Sequence, residues 1–150
     1  MSTEAELAKL TEFVRTAIPI FEHMGVTVVD ARPGYAAAEI PAEANVNHFG
    51  VIYAGSLFTV AEMLGGVLGF QTFDLEGFIP LVKKMEIKFL RPGTSRVRAS
   101  ASLTPEEIER IETEARANGK AEFTLTATVT DEAGTVVAET EGLYQMRKFG

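Results

Sequence analysis

The chain contains no cysteine, so it has no disulfide framework, no thiolate nucleophile and no cysteine metal site. That fits a reducing compartment. Histidine is scarce as well. With only His23 and His48 there is no two-histidine helical zinc motif, and no metal is expected. No Walker loop or dinucleotide fingerprint is present, and Ala54-Gly55-Ser56-Leu57-Phe58 is not the strained nucleophile elbow of serine hydrolases. The opening residues, Met1 to Glu6, are acidic and polar, whereas a secretory signal needs a basic start and an apolar run. The longest apolar stretch, 54–70, is slightly short for a membrane span and carries Glu62 near its centre. The expectation is a soluble, cytoplasmic protein with no membrane partner. No repeat, low-complexity tract or linker divides the chain. A length of 150 residues suits one domain, 1–150, that buries its core without staples.

Positive charge is also in short supply. Lys and Arg number 14 against 21 Asp and Glu, a formal net charge of −7. That argues against general nucleic-acid binding, which needs many phosphate contacts. The deficit is uneven. Lys83, Lys84, Lys88, Arg91, Arg96 and Arg98 lie within residues 78–98, where Glu86 is the only acid. An anionic ligand would suit such a stretch, and so would a solvated sheet face.

Thr3 and Glu6 have capping-box spacing before an apolar stripe of Leu7, Leu10, Val14 and Ala17, which predicts a helix over Glu4–Ala17 ended by Pro19. Strands are expected over 26–31 and Tyr35–Ile40, around a turn at Arg32-Pro33-Gly34. A loop, 41–51, then carries Asn45, Asn47, His48 and Gly50. The segment 54–70 is apolar on all sides apart from Ser56, Thr59 and Glu62, as a helix buried all round would be. It also holds Gly65, Gly66 and Gly69. Each interior glycine costs about 1 kcal/mol against alanine, so close backbone approach is expected, as when a sheet wraps a helix. Further strands are expected at 79–90, around Val97, Ala99, Ala101 and Leu103, around Phe123, Leu125, Ala127 and Val129, and at 135–146. A short helix interrupts them, capped by Thr104, with Pro105 at its first position, Glu107 closing the box and Gly119 at its end. The pattern gives an α+β domain, a curved antiparallel sheet around one apolar helix.

Glu62 is the first candidate for chemistry. An unpaired carboxylate in apolar surroundings is costly or raises its pKa, and one substitution would remove that cost. Its retention suggests a general base or nucleophile poised near neutral pH. A place on the helix's one wet edge, or a Lys or Arg partner, would explain it equally. The helix entry, Asn47-His48-Phe49-Gly50-Val51-Ile52-Tyr53-Ala54-Gly55-Ser56, comes second. Free N–H groups and the positive dipole end lie there, and Gly55 admits a substrate close to the backbone, so an oxyanion hole would fit. A plain loop and cap would fit too. Asn47 and His48 would orient water or substrate, or serve the loop alone.

The stretch 47–66 (NHFGVIYAGSLFTVAEMLGG), followed by Met85-Glu86-Ile87-Lys88-Phe89-Leu90-Arg91-Pro92, resembles the hotdog-fold acyl-CoA thioesterases of the phenylacetate-pathway type, especially relatives with YAGSLF in place of HGG. The resemblance covers roughly 26–146. It implies a sheet curled around a central helix, dimers often paired into tetramers, and active sites between subunits. It places the catalytic acid at Glu62, the loop asparagine at Asn47 and the oxyanion-hole glycine at Gly55. Where the family commonly has His-Gly-Gly, this chain has Tyr53-Ala54-Gly55. Tyr53 would then hydrogen-bond the carbonyl, and Ala54 would offer its backbone N–H. The implied reaction is hydrolysis of a small-molecule acyl thioester, on coenzyme A or a carrier protein, with coenzyme A as part of the substrate and no other cofactor. Lys83, Lys84, Lys88 and Arg91 would meet its phosphates. Phe58, Met63 and Leu64 are candidates for the acyl pocket, and core packing would account for them as well. A non-catalytic acyl-CoA binding protein is the alternative, favoured by the missing histidine.

Overall fold

The computed structural model describes residues 2–150. The first helix, α1 (Glu4–Ala17), begins at Thr3 as its capping box requires. The Glu6 N–H donates to Thr3 Oγ1 at 3.2 Å, and the Glu6 carboxylate accepts from the Thr3 N–H at 2.7 Å. The same device opens the late helix α5 (Pro105–Asn118), where Thr104 and Glu107 exchange bonds of 3.2 and 3.1 Å. Thr104→Ala is expected to cost about 1 kcal/mol. It would show as a lower urea midpoint at unchanged slope; an unmoved midpoint would mean water caps this helix as well as threonine does.

A five-residue helix, α2 (Ile20–Met24), was not expected from the sequence. Pro19 precedes it, and proline's fixed φ suits a helix start as well as a helix end. Phe21 and Met24 anchor it in the core, and Gly25 closes it in the left-handed region at φ 70°.

Six strands follow the expected pattern: β1 (Thr27–Arg32), β2 (Tyr35–Ile40), β3 (Phe78–Phe89), β4 (Val97–Ser102), β5 (Lys120–Thr130) and β6 (Val136–Lys148). All pair antiparallel in one sheet, in the order β1-β2-β4-β5-β6-β3. Val97, Ala99, Ala101, Phe123, Leu125, Ala127 and Val129 all point inward, as their alternation requires. β6 runs two residues beyond the expected end because it pairs along both sides, with β5 and β3. β3 is an edge strand, which is where Pro80 is tolerated.

The central segment touches all six strands, so the sheet curves around it as the hotdog architecture implies. It differs from expectation in two ways. It is two helices, α3 (Ala54–Glu62) and α4 (Leu64–Thr72), separated at Met63. Nor is it buried all round. Val60, Leu64 and Leu68 are fully enclosed, each burial giving about 1.5–3 kcal/mol. Gly55, Thr59, Glu62 and Gly66, by contrast, form a half-exposed stripe at helical spacing, with Phe58 and Phe70 exposed alongside.

Candidate active site

Glu62 ends α3 on that open stripe. No hydrogen bond or ion pair reaches its carboxylate among the described residues. Burial pushes its pKa above the ordinary carboxylate range. Of the two structural explanations weighed from sequence, the wet edge is therefore right in part and the ion pair is not.

The carboxylate faces a cleft of about 710 Å³. Leu10, Phe13 and Phe21 of the first two helices wall one side. Ile79 and Leu81 of β3 form another, and Met63 and Phe70 of the central helices a third. Glu62, Gln71 and the Tyr144 hydroxyl are its polar side-chain groups, and it has no Lys or Arg. An apolar cleft with one desolvated carboxylate suits an uncharged hydrocarbon or aryl group joined to a reactive centre.

The three helical glycines divide by role. A Cβ on Gly69 would stand 3.1 Å from Pro80 Cβ, and one on Gly65 would enter the Tyr144 ring. Both report the close approach expected from sequence. Gly66 does not: it lines the cleft, and no atom lies within 4 Å of the Cβ it lacks. No neighbour within the chain requires glycine there, although alanine is better in a helix by about 1 kcal/mol.

The α3 entry forms a second, separate cleft of about 330 Å³, where Asn47, Ala54 and Arg91 meet. The Tyr53 carbonyl accepts from the N–H groups of Ser56 and Leu57, at 2.9 and 3.1 Å. The N–H groups of Ala54 and Gly55 make no hydrogen bond among the described residues, as at any helix start. Tyr53 is exposed, and its ring lies over Gly55: a Cβ there would be 2.5 Å from Tyr53 Cε2. Asn47 is less free than expected, because its Oδ1 already accepts from the N–H groups of Phe49 (2.9 Å) and Val51 (3.3 Å). That acceptor shapes the loop, leaving Nδ2 for a ligand. His48 is exposed, its ring 4.0 Å from that of Phe49. Asn45, given no role from sequence, is buried and ties the loop to α2 through Nδ2, 2.8 Å from the Met24 carbonyl.

Other candidates are dispersed. Lys83 pairs with Glu122 at 2.8 Å. Lys88 lies among Glu86, Glu139 and Glu141. Arg96 and Arg98 both approach Glu39. Half of the basic run is therefore paired with acids that a linear reading cannot see; Lys84, Lys88 and Arg91 form no ion pair among the described residues. Leu64 is core and cannot line a pocket, and Phe58 lies outside the apolar cleft that Met63 does line.

Tyr144, also unforeseen, donates its hydroxyl to the Glu62 main-chain carbonyl at 2.9 Å. Burial, and then the Glu62 charge, push its pKa above the ordinary value, so it remains a donor across the neutral range.

The family model described as "Domain of unknown function (DUF4442)" matches residues 8–144. No curated protein matches the chain. Among solved structures, a Pseudomonas aeruginosa protein of unknown function, called "Probable Thioesterase", is 40% identical with a TM-score of 0.88, over 95% of this chain and 96% of that one. A protein of unknown function from Chlorobaculum tepidum TLS is 23% identical, TM-score 0.85, over 95% and 94% of the two chains. A Haemophilus influenzae thioesterase is 17% identical, TM-score 0.75, over 100% and 94%. The last two likenesses are of fold.

Proposed function

The chain belongs to the DUF4442 family, and from its likeness to the 40% identical probable thioesterase together with the site geometry we propose that it is a thioesterase, hydrolysing an acyl group from coenzyme A or an acyl carrier with Glu62 as the reacting carboxylate. One observation carries the reading: an unpaired, desolvated carboxylate at the wall of a large apolar cleft. Glu62 takes a proton from water as the water oxygen attacks the thioester carbon. The N–H of Gly55, with that of Ala54, receives the oxyanion. Collapse breaks the C–S bond, and the departing thiolate takes the proton back from Glu62. The raised pKa makes Glu62 a stronger base than an ordinary carboxylate while leaving it ionised at higher pH.

Gly55 and Glu62 lie seven residues apart on α3, about 10 Å along its axis, and the clefts beside them are separate. We propose that the working site forms between two chains, Glu62 of one meeting the α3 entry of the other. The open edge of β3 and the exposed Tyr53, Val82, Phe89 and Leu90 support pairing of this kind. Lys84, Lys88 and Arg91 are the cations left to meet coenzyme A phosphates. The cleft suits straight-chain acyl groups or an arylacetyl group, the latter in keeping with the phenylacetate-type resemblance, and disfavours acyl groups ending in a second carboxylate.

The test is thiol release from acyl-CoAs of increasing chain length, phenylacetyl-CoA and a dicarboxylyl-CoA. Hydrolysis of the hydrocarbon and aryl substrates is the expected result. A melting temperature raised by acyl-CoA with no thiol release would instead establish the binding-protein alternative. Gly66→Leu projects a side chain into the cleft from a position where the Cβ itself meets no neighbouring atom. It is expected to leave stability unchanged or higher while lowering kcat/KM for long acyl groups more than tenfold, since each CH₂ displaced from the cleft forfeits about 0.8 kcal/mol. An unchanged chain-length profile in that variant would place the acyl group elsewhere.

A further inference from the structure

Tyr144 joins the cleft to the break in the central helix. Its ring is held in a slot between α4 and β6. A Cβ on Gly142 would stand 2.6 Å from Cε2, one on Gly65 would overlap Cε1, and Phe123 stacks on the ring at 5.7 Å. The slot directs the hydroxyl at the Glu62 carbonyl. In an uninterrupted helix that carbonyl would accept the N–H of Gly66, four residues on. Here the Gly66 N–H goes to the Met63 carbonyl at 3.1 Å, a three-residue turn. The tyrosine hydroxyl occupies the place of the helical donor.

We propose that Tyr144 is a positioning residue: by holding the Glu62 main-chain carbonyl it keeps the helix broken at Met63 and aims the Glu62 carboxylate into the cleft. The inference rests on Glu62 being the reacting carboxylate. Three-residue and four-residue turns differ by roughly 20° of twist per residue. Without the hydroxyl, the Gly66 N–H is free to return to Glu62, the two helices fuse, and α3 rotates against α4. The Glu62 side chain lies at the pivot. A displacement of about 1 Å at such a group lowers a rate by about 100-fold.

Tyr144→Phe keeps the ring and its slot and removes only the donor. On the best acyl-CoA its kcat is expected to fall by about 10- to 100-fold with KM within about twofold. Thr104→Ala, a helix cap remote from the cleft, is the control for lost stability and should leave kcat unchanged. Carbon-13 NMR of glutamate-labelled protein, with the Glu62 signal assigned by its loss in Glu62→Gln, reads the carboxyl directly. Its titration midpoint is expected to differ between wild type and Tyr144→Phe. An unchanged midpoint overturns the proposal whatever the rate does, because Glu62 then has the same surroundings with or without the hydroxyl. An unchanged kcat in an active enzyme overturns it equally. If wild type releases no thiol from any thioester, the thioesterase reading fails, and the NMR titration still decides whether Tyr144 governs Glu62.

Discussion

Glu62→Gln is expected to lower thioester turnover by about 10²- to 10⁴-fold, the usual contribution of a general base, while raising the melting temperature at neutral pH. The two effects share one cause. Glutamine matches the carboxylate in size and polarity but can neither accept a proton from water nor carry a desolvated charge. The stability gain has a defined pH window. In the unfolded chain Glu62 titrates in the ordinary carboxylate range, and in the folded chain burial raises its pKa. Below the ordinary range both states are protonated and the substitution changes little. Between the ordinary and the raised pKa the folded chain binds more protons, so wild-type stability falls as pH rises. Above the raised pKa the full penalty persists. Melting curves of both proteins from about pH 4 to 8 would therefore diverge on going up in pH and then run parallel. Curves parallel throughout would show that water solvates the carboxylate and that its cost is not the signature of a site. The acid limb of kcat should move up with the same pKa, and a rate insensitive to Glu62→Gln would remove this residue from the chemistry.

Gly65→Ala has the second large expected effect, on stability. Alanine in place of glycine inside a helix is worth about 1 kcal/mol in its favour. Against this stands the Tyr144 ring, which the new Cβ would enter. The ring cannot swing aside, since Gly142 bounds its other edge and Phe123 its face. Overpacking of this kind costs about 3 kcal/mol. The clash wins by about 2 kcal/mol, a fall in melting temperature of about 4–8 °C for a chain of this size. Gly66→Ala, one residue on, meets nothing and should stabilise by up to about 1 kcal/mol. Calorimetry on the pair separates packing from propensity, because the same substitution is made twice in one helix. Equal melting temperatures for the two variants would mean the tyrosine slot has slack.

Much of the fold was legible because local signals agreed with one another. Thr3–Glu6 and Thr104–Glu107 declare their helices by spacing alone, and the alternations at Val97 to Ala101 and Phe123 to Val129 declare which side of the sheet is wet. Glu62 was legible as a cost. What stayed hidden depends on residues distant in sequence. The Glu62 carbonyl at the break is met by Tyr144, from the last strand of the chain. The neutralisation of Lys83 by Glu122 and of Arg98 by Glu39 depends on strand register. Gly65 and Gly66 are adjacent and identical, and only the surroundings show that one makes room for a ring and the other for a cleft. That the Asn47 acceptor is engaged by its own loop was also hidden, because such an acceptor looks the same in sequence as a free one.

The bond from Tyr144 to Glu62 spans 82 residues, and this sets the order in which the molecule becomes itself. A ribosome adds about 5–20 residues per second, so the acid is made several seconds before the strand that aims it. Through that interval the apolar central segment has only the β1-β2-β4-β5 part of the sheet to lie against. β3 cannot pair until β6 has been made, since it joins the sheet through β6 alone. A nascent chain stopped short of β6 therefore carries every residue proposed for the α3 entry, and Glu62 as well, yet has no cleft and no directed carboxylate. The directed carboxylate arrives with that last strand, together with the cover that β6 gives the central segment.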